Sequence, residues 1–218
     1  MKDSEIHKAI RVLKEEVKKW NLPAVGVVAE RTRDPFKILI SCILSLRTKD
    51  GTTAEASRRI FFLADNPEDI LKLPVESIER AIFPVGFYRR KARNIKEICR
   101  ALIKDYNSKV PDEIDELLKL KGVGRKTANL VVTIGYDKDG ICVDTHVHRI
   151  SNRWGYIQTK TPEKSEEALR KKLPKRYWKI YNDLLVTFGQ NLCKPVSPLC
   201  SQCNIATCCD RRGVIKSR

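Results

Sequence analysis

The sequence has little that would suit a membrane, a secretory pathway or a β-sheet. It contains no stretch of about 18 apolar residues, the length that a membrane-spanning helix requires. It has no apolar N-terminal run resembling a signal peptide. Strand-forming patterns are nearly absent, because the stretch at residues 25–28 is too short to found a sheet. We therefore expect a cytoplasmic protein with an all-α fold.

Acidic residues are scarce relative to basic ones. The 218 residues include 43 Lys plus Arg against 27 Asp plus Glu, which gives a formal net charge of +16. This excess favours a polyanionic partner. The alternative is a basic surface that serves only solubility, as in many proteins from hot environments. Residues 86–104 form the densest basic segment, with seven Lys or Arg and a single acid, Glu97.

Helix signals occur along most of the chain. Asp34 followed by Pro35 predicts an N-cap and a first helical residue. The run at residues 36–46 is apolar on nearly every side, so it predicts a central buried helix. Asp112 is expected to cap a short helix, and Thr161 is expected to cap a longer one. With 42% hydrophobic residues, the chain can form one large or two small domains.

Four cysteines near the C-terminus are spaced to surround one metal centre. They follow the pattern Cys-x6-Cys-x2-Cys-x5-Cys and are Cys193, Cys200, Cys203 and Cys209. Zinc sites usually pair two short Cys knuckles across a longer loop, so a four-thiolate iron–sulfur cluster fits this spacing better. Zinc and disulfides remain as alternatives. The cysteines expected to be ordinary core residues are Cys42, Cys99 and Cys142.

A glycine hairpin is predicted at residues 120–127, with the sequence LKGVGRKT. Gly122, Val123 and Gly124 would form a tight turn that lets the backbone approach a ligand. The helix that follows would point free backbone N–H groups at a phosphate. The spacing of a nucleotide-binding P-loop is missing. A plain helix–helix connection is the alternative for such a turn.

Two charged residues give the hairpin possible chemistry. Lys126 follows Arg125 at a helix N-terminus, where the dipole and the neighbouring charge both disfavour its ammonium form. A neutral amine is the nucleophile of Schiff-base chemistry. Asp144 stands at another apparent helix start. The alternatives are a solvated surface lysine and a carboxylate that only caps its helix.

These motifs together resemble the endonuclease III family of helix–hairpin–helix DNA glycosylases, which act in base excision repair. The resemblance rests on residues 120–129 (LKGVGRKTAN), on residues 143–146 (VDTH) and on the cysteine loop, in that order. Weaker similarity extends over residues 43–50 (ILSLRTKD) and 86–92 (GFYRRKA). It therefore covers nearly the whole chain.

The resemblance implies two helical domains flanking a DNA-binding cleft. Residues 28–138 would form a six-helix domain that carries the hairpin. Residues 1–27 and 139–218 would form a discontinuous helical domain with a [4Fe–4S] cluster loop. The implied partner is double-stranded DNA with damaged bases or abasic sites. A monomer is expected, associated with the nucleoid if the source is prokaryotic.

The resemblance also implies roles for individual residues. Lys126 would be the nucleophile and Asp144 the essential carboxylate, and the four spaced cysteines would be the cluster ligands. Cys208 would be an extra thiol, because it gives x4 rather than x5 after Cys203. The implied DNA-binding residues are Gly122, Val123, Gly124, Arg125, Arg47, Phe87, Arg89 and Lys91.

Two positions depart from the family pattern. The family hairpin usually has Pro at the position of Lys121. The lysine would give the hairpin of this protein one more phosphate contact. Many members have Gln where Arg47 stands, in the loop that fills the gap left by a flipped base. Phe87 would lie where an apolar wedge enters the base stack.

The function that follows is a bifunctional DNA glycosylase and abasic-site lyase. It would remove oxidised pyrimidines and cleave 3′ to abasic sites by β-elimination through a lysine Schiff base. One alternative is a thymine or uracil mismatch glycosylase of the same fold. Others are a non-catalytic helix–hairpin–helix DNA-binding protein and a cluster-bearing redox protein.

Overall fold

The computed structural model describes residues 1–20, 25 and 32–218. Regular structure in these ranges is helical throughout, without a β-strand, which confirms the all-α fold class. None of the described helices is long and apolar enough to cross a membrane. The stretch at residues 25–28 lies outside the described residues apart from Val25, as does the predicted domain boundary at residue 28.

The chain forms two compact units. Met1–Pro23 and Ile141–Arg218 make up one, which we call the cysteine unit, and Ala24–Gly140 makes up the other, the hairpin unit. The predicted domains, 28–138 and 1–27 plus 139–218, are retained as predictions.

The hairpin unit contains seven α-helical segments within residues 32–140. They are α2 (Pro35–Ser45), α3 (Asp50–Leu63), α4 (Pro67–Lys72), α5 (Val75–Ile82), α6 (Tyr88–Tyr106), α7 (Ile114–Leu117) and α8 (Arg125–Leu130). A π-helical turn, Val131–Gly135, follows α8 directly. Helices α2 and α6 supply much of the core, because both bury aliphatic side chains completely.

Helix α2 forms as the sequence predicts. The Asp34 side chain accepts hydrogen bonds from the backbone N–H groups of Phe36 (2.8 Å) and Lys37 (3.4 Å), and Pro35 occupies the first turn. Every residue from Ile38 to Leu44 is buried. The apolar run is therefore the central helix of this unit.

The cap predicted at Asp112 is wrong. Helix α7 is a single turn that begins at Ile114, its N-cap is Glu113, and no side chain caps it. The Asp112 carboxylate instead lies 2.9 Å from the ammonium of Lys138. The helix thus begins one residue too late for Asp112 to be its N-cap, and the carboxylate pairs with a lysine instead.

The cysteine unit contains four described α-helices. They are α1 (Ile6–Glu16), α9 (Thr145–Arg153), α10 (Pro162–Lys172) and α11 (Trp178–Asn191). Thr161 caps α10 as predicted, by accepting a hydrogen bond from the backbone N–H of Lys164 at 3.3 Å. The core includes the fully buried Trp154, Tyr181 and Phe188.

Candidate active site and nucleic-acid interface

The predicted glycine hairpin is present between α7 and α8. The backbone N–H of Val123 donates to the carbonyl of Leu120 at 3.1 Å and closes the turn. The first helical bond of α8 runs from Ala128 to the carbonyl of Gly124 at 2.9 Å. The turn thus places the N-terminus of α8 immediately after Gly124.

The two glycines of the hairpin are required for different reasons. Gly122 has φ of +75°, and a Cβ there would lie 2.5 Å from the Asn94 amide nitrogen, so the fold itself demands glycine. Gly124 has an ordinary φ of −97°. A Cβ on Gly124 would meet no described atom within 4 Å. The packing of the described chain therefore gives no reason for glycine at this position.

Lys126 lies in the first turn of α8, and its side chain is exposed. Arg125 beside it is exposed as well. The four residues that follow, Thr127–Leu130, are all buried. They anchor the helix in the core, while its first two residues remain at the surface.

Asp144 is the N-cap of α9, as the sequence suggests. Its Oδ1 atom accepts hydrogen bonds from the backbone N–H groups of His146 (2.8 Å) and Val147 (2.9 Å). The residue is only 8% exposed. Two charge-assisted bonds to one oxygen fix the orientation of the carboxylate.

Arg47 and Phe87 come together on two adjoining turns of the hairpin unit. Both have left-handed backbone, with φ of 55° and 59°. The Arg47 guanidinium lies 5.6 Å from the centre of the Phe87 ring, and that of Arg90 lies 5.2 Å from it. The ring is 54% exposed. Two cations thus flank an exposed aromatic side chain.

A groove of about 490 Å³ adjoins this cluster. Its lining residues include Arg47, Phe87, Arg90, Arg93, Asn94 and Lys121. The ammonium of Lys121 lies 2.6 Å from the Glu97 carboxylate. The groove is basic overall, and its single acid is paired.

The phosphate contact predicted for Lys91 needs correction. The side chain is buried, at 7% exposure, and its Nζ atom donates to the carbonyls of Leu44 (2.8 Å) and Leu46 (2.5 Å) and to the Thr48 hydroxyl (3.2 Å). Burial, followed by the charge of Arg90, lowers the pKa of Lys91 to about 8. The ammonium is therefore held inside the protein by oxygens of the C-terminal end of α2 and of the loop that follows it.

The other basic residues of α6 divide into two groups. Lys96 donates to the carbonyl of Leu73 at 2.5 Å and so has a structural partner. The exposed ones are Arg89, Arg90, Arg93, Arg100 and Lys104. Five rather than seven side chains of the segment are therefore available to a polyanion at its surface.

The four spaced cysteines line one small cavity in the cysteine unit. Cys193, Cys200, Cys203 and Cys209 all contribute to its wall, together with apolar side chains, and Cys208 does not. Cys208 is instead buried beside this loop, and the core cysteines Cys42, Cys99 and Cys142 are buried as predicted. The structure thus brings together the same four thiols that the spacing singles out.

Helix α9 anchors the cysteine loop through two arginines. Arg153 donates to the carbonyls of Lys194 and Pro195, each at 2.6 Å, and approaches the Cys193 sulfur at 3.5 Å. Arg149 donates to the carbonyl of Cys193 at 2.8 Å. The positive charges next to the loop would favour bound thiolates over neutral thiols.

Two of these thiols are shifted toward the protonated form. Burial raises the pKa of Cys203 to about 11 and also raises the pKa of Cys209. A bound metal would have to supply the positive charge that converts them to thiolates. Within the described residues, no three His, Cys, Asp or Glu side chains meet closely enough to hold one metal ion. We refer to the cavity lined by the four spaced cysteines as the thiol cage.

The model of the HhH-GPD superfamily base excision DNA repair proteins matches residues 40–175. The chain is 48% identical over 183 residues to endonuclease III of Thermotoga maritima, which covers 83% of this chain and 86% of that protein. The chain belongs to the endonuclease III family. It is also 37% identical over 190 residues to endonuclease III of Bacillus subtilis, covering 84% and 87% of the two chains.

Solved structures of DNA repair proteins have the same fold. A trapped endonuclease III–DNA covalent intermediate matches with a TM-score of 0.85 and 34% identity, and covers 97% of both chains. A thermostable thymine-DNA glycosylase matches with a TM-score of 0.80 and 27% identity, over 95% and 98% of the two chains.

Sequence reasoning missed three residues of this family site. Thr48 accepts a hydrogen bond from the Gly86 backbone N–H, Gly86 lies against the Arg47 carbonyl, and Asn94 lies against Gly122 of the hairpin. The two groups that donate to the Thr48 hydroxyl, the Gly86 N–H and the Lys91 ammonium, are 38 and 43 residues away in sequence. No local pattern could therefore mark Thr48, although it lies inside a segment that resembles the family.

Proposed function

We propose that this protein is a bifunctional DNA glycosylase and abasic-site lyase. It removes oxidised pyrimidines and then cuts the strand 3′ to the resulting abasic site. The observation that carries the proposal is an exposed lysine, Lys126, in the first helical turn after the glycine hairpin of a chain that belongs to the endonuclease III family.

The first step is extrusion of the damaged nucleotide. A base inside a duplex cannot be reached, so the enzyme kinks the DNA and flips the nucleotide out. The exposed Phe87 ring enters the stack as an apolar wedge. Arg47 beside it fills the space opposite the lesion. Its guanidinium can donate to the edge of the unpaired base.

The second step is covalent catalysis by Lys126. Its neutral Nζ attacks the sugar C1′ while the bond from C1′ to the base breaks, and the base leaves with a proton. Ring opening gives an imine between Lys126 and the sugar. The imine acidifies the C2′ proton. Loss of that proton breaks the C3′–O bond, the 3′ phosphate leaves, and water releases the lysine.

Asp144 assists the loss of the base. A carboxylate stabilises the positive charge that develops on the sugar as the glycosidic bond breaks. Its backbone hydrogen bonds to His146 and Val147 hold it in one orientation, so no reorganisation is needed during the reaction.

Phosphates are held by backbone and by arginine. The N–H groups of Gly124 and Arg125 at the start of α8 face a backbone phosphate, and Gly124 lets it approach. Arg89 and the other exposed bases of α6 contribute attraction independent of sequence. The DNA that the protein binds is double-stranded and contains a damaged base or an abasic site. The protein acts as a monomer, in the cytoplasm or nucleoid.

A [4Fe–4S] cluster fits the four cysteines of the cage. Cys193, Cys200, Cys203 and Cys209 would hold it, and it would tie together a loop that has few buried side chains of its own. Anaerobically purified protein should be yellow-brown, with about four iron atoms per chain. Cys193→Ser should lower iron content and soluble yield, whereas Cys208→Ser should keep both. Stoichiometric zinc without iron would overturn the cluster.

Cleavage of an abasic-site duplex tests the proposed function. Strand scission with a 3′ β-elimination product is expected. A binding module would retain the duplex without cutting it, and a redox protein would do neither. Duplexes that contain an oxidised pyrimidine then test base removal.

A mismatch glycosylase is the second candidate. The structural match to a thermostable thymine-DNA glycosylase over 95% of this chain favours it. The lysine at position 126 favours the lyase instead, because base removal by water needs no amine. Release of thymine from a G·T duplex without strand cleavage would select this second function.

A further inference from the structure

Lys91 is a charged side chain that is buried beside the proposed DNA-inserting turns. Its ammonium has three protons, and each has an acceptor within 3.2 Å, on Leu44, Leu46 and Thr48. The first two are carbonyls at the C-terminal end of α2, where helix carbonyls have no partner within the helix. Lys91 itself lies in the first turn of α6. It therefore joins two elements that are far apart in sequence.

Thr48 extends this link to the second turn. Its hydroxyl accepts from the Gly86 backbone N–H and from Lys91, each at 3.2 Å, and donates to the Leu46 carbonyl at 3.3 Å. A Cβ on Gly86 would lie 2.6 Å from the Arg47 carbonyl oxygen. The two turns are therefore in direct backbone contact, and glycine is needed for that contact.

The residues at the tips of these turns have unusual backbone conformations. Arg47 and Phe87 are both left-handed, which is uncommon for residues other than glycine. Such conformations persist where the surrounding structure holds them, often at functional sites. The Lys91 ammonium donates to the two residues that flank Arg47. Leu46 precedes Arg47 and Thr48 follows it.

We propose that Lys91 is a positioning residue, whose ammonium holds the Arg47 and Phe87 turns as one rigid unit so that both side chains enter the DNA together. The inference rests on the proposed function. It assigns Lys91 no contact with DNA, because all three of its protons are directed at protein oxygens. Loss of the ammonium would remove the bonds from α6 to Leu44, Leu46 and Thr48, and the Thr48–Gly86 hydrogen bond would have to hold the turns without them.

The test compares two abasic substrates under single-turnover conditions. One is an intact duplex, in which the base opposite the lesion must be unstacked. The other is a duplex whose opposite strand lacks that nucleotide, so the insertion has nothing to displace. A misplaced insertion should slow the first reaction and spare the second, whereas damage to the fold or to Lys126 should slow both.

Lys91→Met keeps the length of the side chain and removes the ammonium. We expect the intact-duplex rate to fall on the order of 100-fold, as for a misplacement of about 1 Å, and the gapped-duplex rate to be unchanged. Lys96→Met is the matched control, since Lys96 is a lysine of the same helix that donates to a carbonyl away from the groove. It should change neither rate.

Other outcomes overturn the inference. An unchanged intact-duplex rate in Lys91→Met, or an equal loss on both substrates, would contradict the positioning role. If Lys91→Met does not fold, Thr48→Val removes the hydroxyl that joins the Lys91 ammonium to the Gly86 backbone N–H. This variant must then slow cleavage of the intact duplex and spare the gapped one. Wild-type protein that cuts neither substrate would instead refute the proposed function.

Discussion

The turns that precede α6 and α8 are similar in sequence but expose their lysines differently. Each turn contains glycine, and each helix carries a lysine in its first turn, Lys91 or Lys126. Lys91 is buried and bonded to three oxygens, whereas Lys126 is exposed. A lysine therefore joins two parts of the protein interior in one helix, whereas in the other helix a lysine faces solvent.

The difference follows from what the two helices bury. A buried ammonium must be fully hydrogen-bonded, because the cost of removing it from water is otherwise too large. The open end of α2 supplies those acceptors to Lys91. Only an amine that can lose its proton and reach a substrate can be a nucleophile. The difference in exposure thus distinguishes Lys126, the candidate nucleophile, from Lys91, the proposed positioning residue.

Lys126→Gln should have the largest effect on activity. The amide cannot form an imine, so strand cleavage and borohydride trapping on abasic DNA should fall to background. DNA affinity should remain, because the hairpin backbone and the exposed arginines are unchanged. Lys121→Gln is the control for loss of a hairpin charge, and it should still cleave. Undiminished trapping by Lys126→Gln would mean that another amine is the nucleophile.

Asp144 variants should separate chemistry from capping. Asp144→Asn should slow base removal about 10²- to 10³-fold and leave trapping possible at a pre-formed abasic site. Asparagine is a good N-cap, so stability should change little. Asp144→Ala should lose the cap as well and cost about 1 kcal/mol in the free energy of unfolding. Equal base removal by Asp144→Asn and wild type would restrict Asp144 to a capping role.

Alanine at the two hairpin glycines should give opposite results. Gly122→Ala should lose about 1–3 kcal/mol of stability, because its backbone is left-handed. Gly124→Ala should leave stability within about 0.5 kcal/mol and weaken DNA binding about tenfold, which is about 1.4 kcal/mol. Chemical denaturation and fluorescence anisotropy measure the two quantities. Full DNA affinity in Gly124→Ala would show that no ligand approaches this backbone closely.

The exposed arginines of α6 should give the smallest effects. Neutralising one phosphate contact lowers the slope of log affinity against log salt by about 1. Arg89→Gln should show this change, and Lys91→Met should not, because the Lys91 ammonium faces protein oxygens. Titrations at several salt concentrations provide the slopes. Equal slopes for Arg89→Gln and wild type would exclude a phosphate contact by Arg89.

Local signals in the sequence were sufficient for the helices and for several caps. Asp34 and Thr161 bind backbone N–H groups two or three residues away, so their environment is encoded locally. Asp112 is not a cap; its carboxylate pairs with Lys138, which stands 26 positions further along the chain. Pairing with a distant partner cannot be seen in a local pattern.

The same limit applies to the site. Spacing singled out the four cysteines that line the cavity, since the loop folds around its own residues. It did not separate Lys91 from the surface bases of α6, because the acceptors of Lys91 are 43 to 47 residues away. The basic segment could be identified from composition, but the side chain that turns inward could not.

Mapping the covalent adduct tests the central claim most directly. Wild-type protein is trapped with borohydride on an abasic duplex, digested, and analysed by mass spectrometry for the peptide that carries the sugar remnant. The account predicts a single modified residue, Lys126. An adduct on Lys121, on Lys91 or on the N-terminal amine would contradict it.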